Sequence, residues 1–373
     1  MKELTVTSQD AKQRLDKYLK RVFPEMGISF MYKMLRKKNI TLNKKKATGS
    51  EQVQAGDLIQ CFFSDETFDK FAGNAAPGTS ESKQDNCNSD IKKKVPDNSL
   101  NTEYKKAYDI LKEISVIYED EHILLLDKPA GVLSQKAKPE DLSLNEWMIG
   151  YLLASGSVSE DTLKRFKPSV CNRLDRNTSG LVICGKTLTG SREISRMLKD
   201  RSLQKYYRTY VHGCLEGKKI LTAYHRKDSK NNQAAICYNV SEIEKKEYDE
   251  IITAYRSIEA KKDYSYLEIE LITGKTHQIR AHLSAYGHPI VGDSKYGGKY
   301  AMGNVKGDRS GNTVKKISAQ PNVASNYPKH QLLHACRIVF PELEGELSVL
   351  SNKEFVCGEP KAFLQFKNDI FYK

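Results

Sequence analysis

The sequence predicts an α+β protein in two parts: a small basic domain of helices and short strands, then a larger mixed domain. Three observations carry this reading. Apolar residues near the N-terminus recur at helical spacing, short apolar runs bounded by glycines recur further on, and a polar stretch separates the two regions. A chain of 373 residues is long enough for both, one of them with a sizeable core.

Residues 13–63 are compact and basic. Within Arg14-Leu15-Asp16-Lys17-Tyr18-Leu19 a helix begins, because Leu15, Tyr18, Leu19 and Val22 fall on one helical face. After Pro24 and Gly27, Ser29 fits the N-cap of a second helix, with Met31, Met34 and Leu35 on one face and Lys33, Arg36, Lys37 and Lys38 outside it. Ile40-Thr41-Leu42-Asn43 alternates like a short strand, and Ala55-Gly56-Asp57-Leu58-Ile59 turns into another. Residues 64–102 shift to Asn, Ser, Asp, Gly, Pro and Lys, the composition of a flexible linker that lets the N-terminal part move.

Residues 103–373 read as one large mixed domain. Residues 115–118 and 123–126 are strand candidates, the second running into the turn Asp127-Lys128-Pro129-Ala130-Gly131. Leu181-Val182-Ile183-Cys184, between Gly180 and Gly185, is an interior strand. Asp175 lies on the loop entering it, where functional groups tend to be displayed. Arg173 and Arg176 flank this acid and favour its ionised form, while a side-chain cap on the turn 177–180 is the plainer alternative. Residues 204–211 alternate like a strand carrying Tyr206, Tyr207 and Tyr210. A buried tyrosine can stack on a base and offer a phenolic oxygen for proton transfer, although cross-strand packing is the commoner use. Residues 264–272 also alternate, Thr273-Gly274 turns, and Thr276 fits the cap of a helix ending at Gly287. In that helix Ile279, Leu283 and Tyr286 mark the buried stripe, and His277 and Arg280 share another face. The Gly-, Asn-, Ser- and Lys-rich stretch 297–329 reads as a mobile loop.

A net charge of +13 with a pI near 9.1 concerns partners, with nucleic acid first and an anionic membrane surface second. The basic N-terminal helices fit a grip on an RNA backbone, where Arg14, Lys17, Lys33, Arg36, Lys37 and Lys38 would release condensed counterions; the alternative is a solvated face. No window approaches the roughly 18 apolar residues of a membrane span, and no signal-peptide core opens the chain, so a cytoplasmic protein without membrane partners is expected. The eight cysteines contain no C-x-x-C pair, which argues against a zinc site or disulfide framework. His277 and His282 are five apart, off the spacing that puts two ligands on one helical face, and no metal is expected at them or at His288.

The run Arg173-Leu174-Asp175-x-x-Thr178-Ser179-Gly180-Leu181 resembles the catalytic motif of the RluA-like pseudouridine synthases, the large ribosomal subunit and transfer RNA type. The resemblance implies that Asp175 is the essential catalytic carboxylate. Lys205-x-Tyr207 is similar to the family's Lys-x-Tyr motif, which implies that Tyr207 packs against the target uracil and that Lys205 lies in the site floor or at the backbone. Thr273-Gly274-Lys275-Thr276-His277-Gln278-Ile279-Arg280-x-His282 is similar to a third motif, in which the arginine at Arg280 pairs with the catalytic acid. Lys275 replaces an arginine there and loses its planar fork. The turn at Lys128, the run from Gly287 to Asp293 and Leu332-Leu333-His334-Ala335 also follow the pattern, so the resemblance covers roughly 114–341. Asn172 stands where the family usually has His, and Ser134-Gln135 where His-Pro is common. The opening Arg14-Leu15-Asp16-Lys17-Tyr18-Leu19 resembles the S4 RNA-binding domain, placing an S4-like domain at 1–63.

Together these resemblances imply a mixed, mainly antiparallel sheet with a central active-site cleft, and an isomerase that converts uridine to pseudouridine. They imply 23S ribosomal RNA as substrate, with tRNA as the alternative, in a monomer that needs no cofactor and no metal. Asp175, Tyr207 and Arg280 are the expected catalytic residues, and Arg173, Arg176, Lys205, Lys275, His277 and Ile279 the expected substrate contacts. The reaction breaks N1–C1′ and forms C5–C1′ on a flipped nucleotide; the carboxylate can attack C1′ or C6, or act as a base at C2′. Two other classes compete: a non-catalytic RNA-binding assembly factor, and a glycosidase-type hydrolase in which Asp293 would have to serve as the second carboxylate.

Overall fold

The computed structural model describes residues 2–7, 10–63, 67–68, 71, 99–228, 233–241, 244–261, 263–297 and 327–372. The expected linker at 64–102 and loop at 297–329 lie mostly outside these residues. Contacts divide the chain into two units, one of residues 1–96 with 160–167, the other of 97–159 with 168–373.

The first unit contains β1 (Lys2–Thr5), β2 (Gln13–Arg14), α1 (Leu15–Val22), α2 (Ile28–Arg36), β3 (Ile40–Leu42), β4 (Lys45–Lys46), β5 (Gln52–Val53) and β6 (Leu58–Cys61). Helix α1 buries Leu15, Tyr18 and Leu19, with Asp16 in its first turn and Lys20 and Arg21 in its last, in keeping with the helix dipole. Helix α2 buries Met31, Met34 and Leu35 as the spacing requires, but its N-cap is Gly27. Ser29 falls inside the first turn, because the Gly27 carbonyl already accepts from the Met31 amide. The strands β1-β6-β3-β4 form an antiparallel sheet. Asn43 and Lys44 join β3 to β4 with positive φ at both positions, the geometry of a two-residue hairpin turn.

The second unit follows with α3 (Ser99–Ile110), β7 (Ser115–Glu119), β8 (Ile123–Lys128) and α4 (Leu144–Ala154). The short α5 (Glu160–Arg165) groups with the first unit, and β9 (Ser169–Val170), β10 (Ser179–Gly185), α6 (Leu188–Asp200) and β11 (Gln204–His212) return to the second. Then come β12 (Lys218–Asp228), β13 (Gln233–Cys237), β14 (Asp249–Ala260), β15 (Tyr264–Leu271), α7 (Gln278–Ala285), β16 (Leu333–Val339), β17 (Glu354–Val356) and α8 (Lys361–Phe366). Helix α3 starts at Ser99, so the last residues read as linker are helical.

One sheet, ordered β13-β12-β14-β15-β11-β16-β10-β8-β7, organises this unit. Its neighbours are antiparallel except at the centre, where β10 and β16 run parallel through Ser179↔His334 and Gly180↔Ala335. Gly180 is required there: its φ is +110°, and a Cβ would lie 2.2 Å from the Ala335 carbonyl oxygen. Strand β10 is buried along its whole length, and Leu181 and Ile183 pack with Ile123, Leu125 and with Ile194 and Met197 of α6. Strand β15 does not alternate, since every residue from Ser265 to Ile269 is buried. It is an interior strand, and α8 brings Phe363 and Phe366 onto Tyr266 and Tyr210.

Candidate active site

Asp175 sits on the loop from β9 to β10, and that loop is tied down on every side. The Thr178 amide donates to the Asp175 carbonyl at 3.0 Å, so the backbone closes the turn and the Asp175 side chain is left free of the capping role. Ser134 Oγ donates to the Leu174 carbonyl at 2.9 Å and accepts from the Leu174 amide at 3.0 Å. Asn172 Oδ1 accepts from the Ile183 amide at 2.7 Å. Both departures from the family pattern therefore hold the acid's own loop. Lys128, fully buried, donates from Nζ to the carbonyls of Pro129, Val132 and Arg176. Burial pulls its pKa down to about 7, against the charges of Asp175 and Asp127. On the strand side, Ser179 Oγ and His334 Nδ1 share a hydrogen bond of 2.9 Å across the β10–β16 pair.

Helix α7 supplies the counter-ion. Arg280 donates from Nη1 to Asp175 Oδ2 at 2.6 Å, and from Nε and Nη2 to the two oxygens of Asp293 at 2.7 and 2.9 Å. Arg280 is 8% exposed and Asp293 1%, whereas Asp175 keeps 27% of its side chain open. Burial opposes the Arg280 charge, but hydrogen bonding and attraction to Asp293, then Asp175, outweigh it and hold the guanidinium pKa above its ordinary value. Asp293 is thus consumed as an anchor, and its Oδ1 also accepts from the amides of Lys295 and Tyr296. A hydrolase that needs it as acid–base partner has none here.

The approach to α7 is equally fixed. Gln278 accepts from Thr273 Oγ1 and the Lys275 amide and donates to the Ile252 carbonyl and Thr253 Oγ1. The helix cap is His277, not Thr276, and it sits in the left-handed region at φ 55° with no side-chain cap bond. Its Nε2 lies 3.8 Å from Asp175 Oδ2, and its Nδ1 is 3.0 Å from the Tyr296 hydroxyl. Burial pulls the imidazole pKa below its ordinary value.

An open cleft enclosing about 370 Å³ is lined by Arg173, Leu174, Asp175, Thr178, Tyr207, Leu271, Lys275, His277, Gln278, Ile279, Arg280 and Leu333. It brings together seven of the residues expected from sequence: Arg173, Asp175, Tyr207, Lys275, His277, Ile279 and Arg280. Tyr207 is 6% exposed, and burial, with Asp175 adding to it, pushes its phenol pKa well up, so it enters the site protonated. Tyr206 and Tyr210 take the packing roles: the Arg337 guanidinium lies over the Tyr206 ring at 3.7 Å, and Tyr210 stacks on Tyr266. Arg176 does not line the cleft; its exposed side chain leaves the loop, and its carbonyl serves Lys128. Lys205 does not line it either, but its Nζ would be 3.8 Å from a Cβ at Gly274, beneath the turn into α7. Lys275 pairs with Asp249 at 2.8 Å. His282 and His288 find separate partners in Thr253 Oγ1 and the His212 carbonyl, and among the described residues no group of His, Cys, Asp and Glu is arranged to hold a metal ion. The N-terminal cations Lys17, Lys33, Arg36, Lys37 and Lys38 are exposed, and Arg14 is engaged by Asp16 at 2.7 Å. No helix among the described residues is long and apolar enough to cross a membrane.

Sequence reasoning missed Tyr296 as a partner of His277 and assigned Asp293 only to the rejected hydrolase. The Gly292-Asp293 step after a His-Pro turn was visible, but the fork that uses Asp293 needs two elements brought together.

Comparison with known proteins places the chain among RNA pseudouridine synthases. A family model described as RNA pseudouridylate synthase matches residues 122–285. The chain is similar to ribosomal large subunit pseudouridine synthase C of Rickettsia felis, at 30% identity over 78% of this chain and 83% of that one. It is also similar to an uncharacterized RNA pseudouridine synthase of Mycoplasma genitalium, at 29% identity over 98% of this chain and 95% of that one. Among solved structures, human RNA Pseudouridylate Synthase Domain Containing 4 aligns with a TM-score of 0.49 at 18% identity, over 72% of this chain and 96% of that one.

Proposed function

Since the chain belongs to the RNA pseudouridylate synthase family, and so is an isomerase that converts uridine to pseudouridine in RNA, we propose that Asp175 is its catalytic carboxylate and large-subunit ribosomal RNA its substrate. The observation that carries the first part is the Arg280 fork: one end grips Asp293 in the interior, and the other presents Asp175 to the cleft. A carboxylate so aimed can act on a flipped uridine at C1′, C6 or C2′, and each route needs it ionised and fixed in place. Tyr207 packs against the uracil from β11, with its phenol held protonated by burial. Arg173, Lys275, His277 and Ile279 contact the nucleotide around it, with Lys205 under the floor. Arg176, exposed and outside the cleft lining, meets the RNA backbone beside the flipped site.

The ribosomal substrate is favoured over tRNA by relatives named for the large ribosomal subunit. The first unit, with its exposed Lys17, Lys33, Arg36, Lys37 and Lys38, is an S4-like grip on the RNA backbone. Asp175→Asn should abolish pseudouridine formation in a tritium-release assay while leaving RNA binding intact; retained turnover would remove Asp175 from the mechanism. Mapping pseudouridines in a deletion strain should show the loss in large-subunit RNA, and a loss confined to tRNA would overturn that substrate.

A further inference from the structure

His277 lines the cleft beside Asp175, and what it offers there depends on which ring nitrogen carries its proton. Three elements decide this. Strand β13 is the edge of the large sheet, and the amide of Ala234, within it, donates to the Tyr296 hydroxyl oxygen at 2.9 Å. The same hydroxyl lies 3.0 Å from His277 Nδ1. A phenol has one proton to give, and of its two partners among the described residues only Nδ1 can accept it. With the Ala234 amide filling one lone pair, the proton of the hydroxyl goes to Nδ1.

A neutral imidazole that accepts at Nδ1 carries its hydrogen on Nε2. Burial favours the neutral ring, with Arg280 and Lys295 reinforcing it and Asp175 and Asp293 opposing. At 3.8 Å from Asp175 Oδ2, Nε2 is too far for a hydrogen bond, and that oxygen already accepts from Arg280. Among the described residues the Nε2–H has no acceptor, and it is left for one that arrives with the substrate. Tyr296 is itself held in place. Its amide donates to Asp293, its carbonyl accepts from Ser284, and the Arg280 guanidinium lies over its ring at 5.2 Å. His277 is held too, by the left-handed backbone at the head of α7.

We propose that Tyr296 is a positioning residue that fixes His277 as the Nε2–H tautomer, so that a single hydrogen-bond donor meets an oxygen of the flipped uridine beside Asp175. The proposal rests on the isomerase reading above. It extends the site to a residue outside the cleft lining, and it makes the open edge of β13 part of the catalytic apparatus.

The test uses the full chain with ¹⁵N-labelled histidine. Long-range proton–nitrogen spectra of the RNA-free protein, with the His277 signal assigned by its loss in His277→Gln, should show the Nε2–H tautomer. Tyr296→Phe keeps the ring over Arg280 and removes only the hydroxyl, and it should lose that preference. On an unmodified transcript of large-subunit ribosomal RNA its kcat should fall about ten-fold with KM within about two-fold, as expected when one orienting hydrogen bond is removed. A wild-type ring protonated at Nδ1, or a Tyr296→Phe ring still at Nε2–H, overturns the proposal, and the first result decides even if the variant does not fold. A transcript that the wild type leaves unmodified would defeat the ribosomal substrate instead, because the spectrum is read without RNA.

Discussion

Arg280 is the residue on which the site turns. It spans Asp175 and Asp293 with three nitrogens, a geometry that a planar guanidinium can supply and a lysine ammonium cannot. Arg280→Lys should keep the charge yet serve one acid at the expense of the other. If it stays with Asp293, Asp175 loses its aim; if it turns to Asp175, a buried acid loses its fork. Loss of an oriented charge at the reacting centre is worth about 10²-fold in kcat. The weakened buried bonds should cost about 1–3 kcal/mol of stability. Thermal melting beside tritium release would check both, and wild-type melting would contradict the anchoring role of the fork. Asp175, Tyr207 and Arg280 were legible in the sequence because each stands in a short motif. The arginines flanking Asp175 show no ion pair with it among the described residues, and the partner that holds it comes from 105 residues away, as the third motif implied. Ser134 and Asn172 read as gaps in a pattern, yet Ser134 binds the backbone of the loop that carries the acid at Leu174, and Asn172 ties that loop to the Ile183 amide of β10.

Among the elements, the turn after β8 does more than shape the rim of the cleft. Lys128 within it is buried with its ammonium on three carbonyls, one of them that of Arg176, next to Asp175. Its pKa is about 7 in the fold against 10.5 unperturbed, burial being the main cause. Below about pH 7 the folded and unfolded chains both hold this proton; from about 7 to about 10 only the unfolded chain does. The unfolded state then binds more protons, so this residue makes stability rise with pH across that window. Lys128→Met should flatten the slope, and should also lower activity by leaving the turn's carbonyls unserved. Denaturant titrations at several pH values would show it, and a variant as steep as the wild type would rule Lys128 out as the source. The helices and strands that apolar spacing marked, such as α1, α2, β8, β10 and β11, were legible because that spacing reports burial directly, whereas α4, α6, β12, β13 and β14 were not read. The caps were not. Ser29 and Thr276 have suitable hydroxyls at suitable positions, but Gly27 and His277 take the caps through backbone conformation, which spacing does not encode. The unbroken burial of β15 was hidden for a related reason: alternation describes a strand with one wet face, and this one has none.

For the whole molecule, the charge and the polar stretch at 64–102 are what the sequence offers on domain division, and the grouping of α5 with the first unit depends on contacts that composition cannot show. If the first unit grips the RNA backbone, replacing Lys33, Arg36, Lys37 and Lys38 by Gln should weaken binding at every site alike. The plot of log affinity against log salt should become shallower by about 0.7 for each phosphate that is no longer neutralised, with turnover at saturating RNA unchanged. An unaltered slope would put the RNA on another surface. The order of the large sheet was the least legible feature, because pairing between distant strands leaves no local mark. That order has a consequence in time. Strands β12, β13, β14 and β15 can pair by short returns along the chain, but β16 must enter between β10 and β11, and its His334 meets Ser179 across 155 residues. Closing so long a loop is the slow kind of event in folding. The strand with the longest loop to close is thus the one that pairs with β10 where the Asp175 loop ends, so slow refolding should be felt at that loop as well as in the sheet.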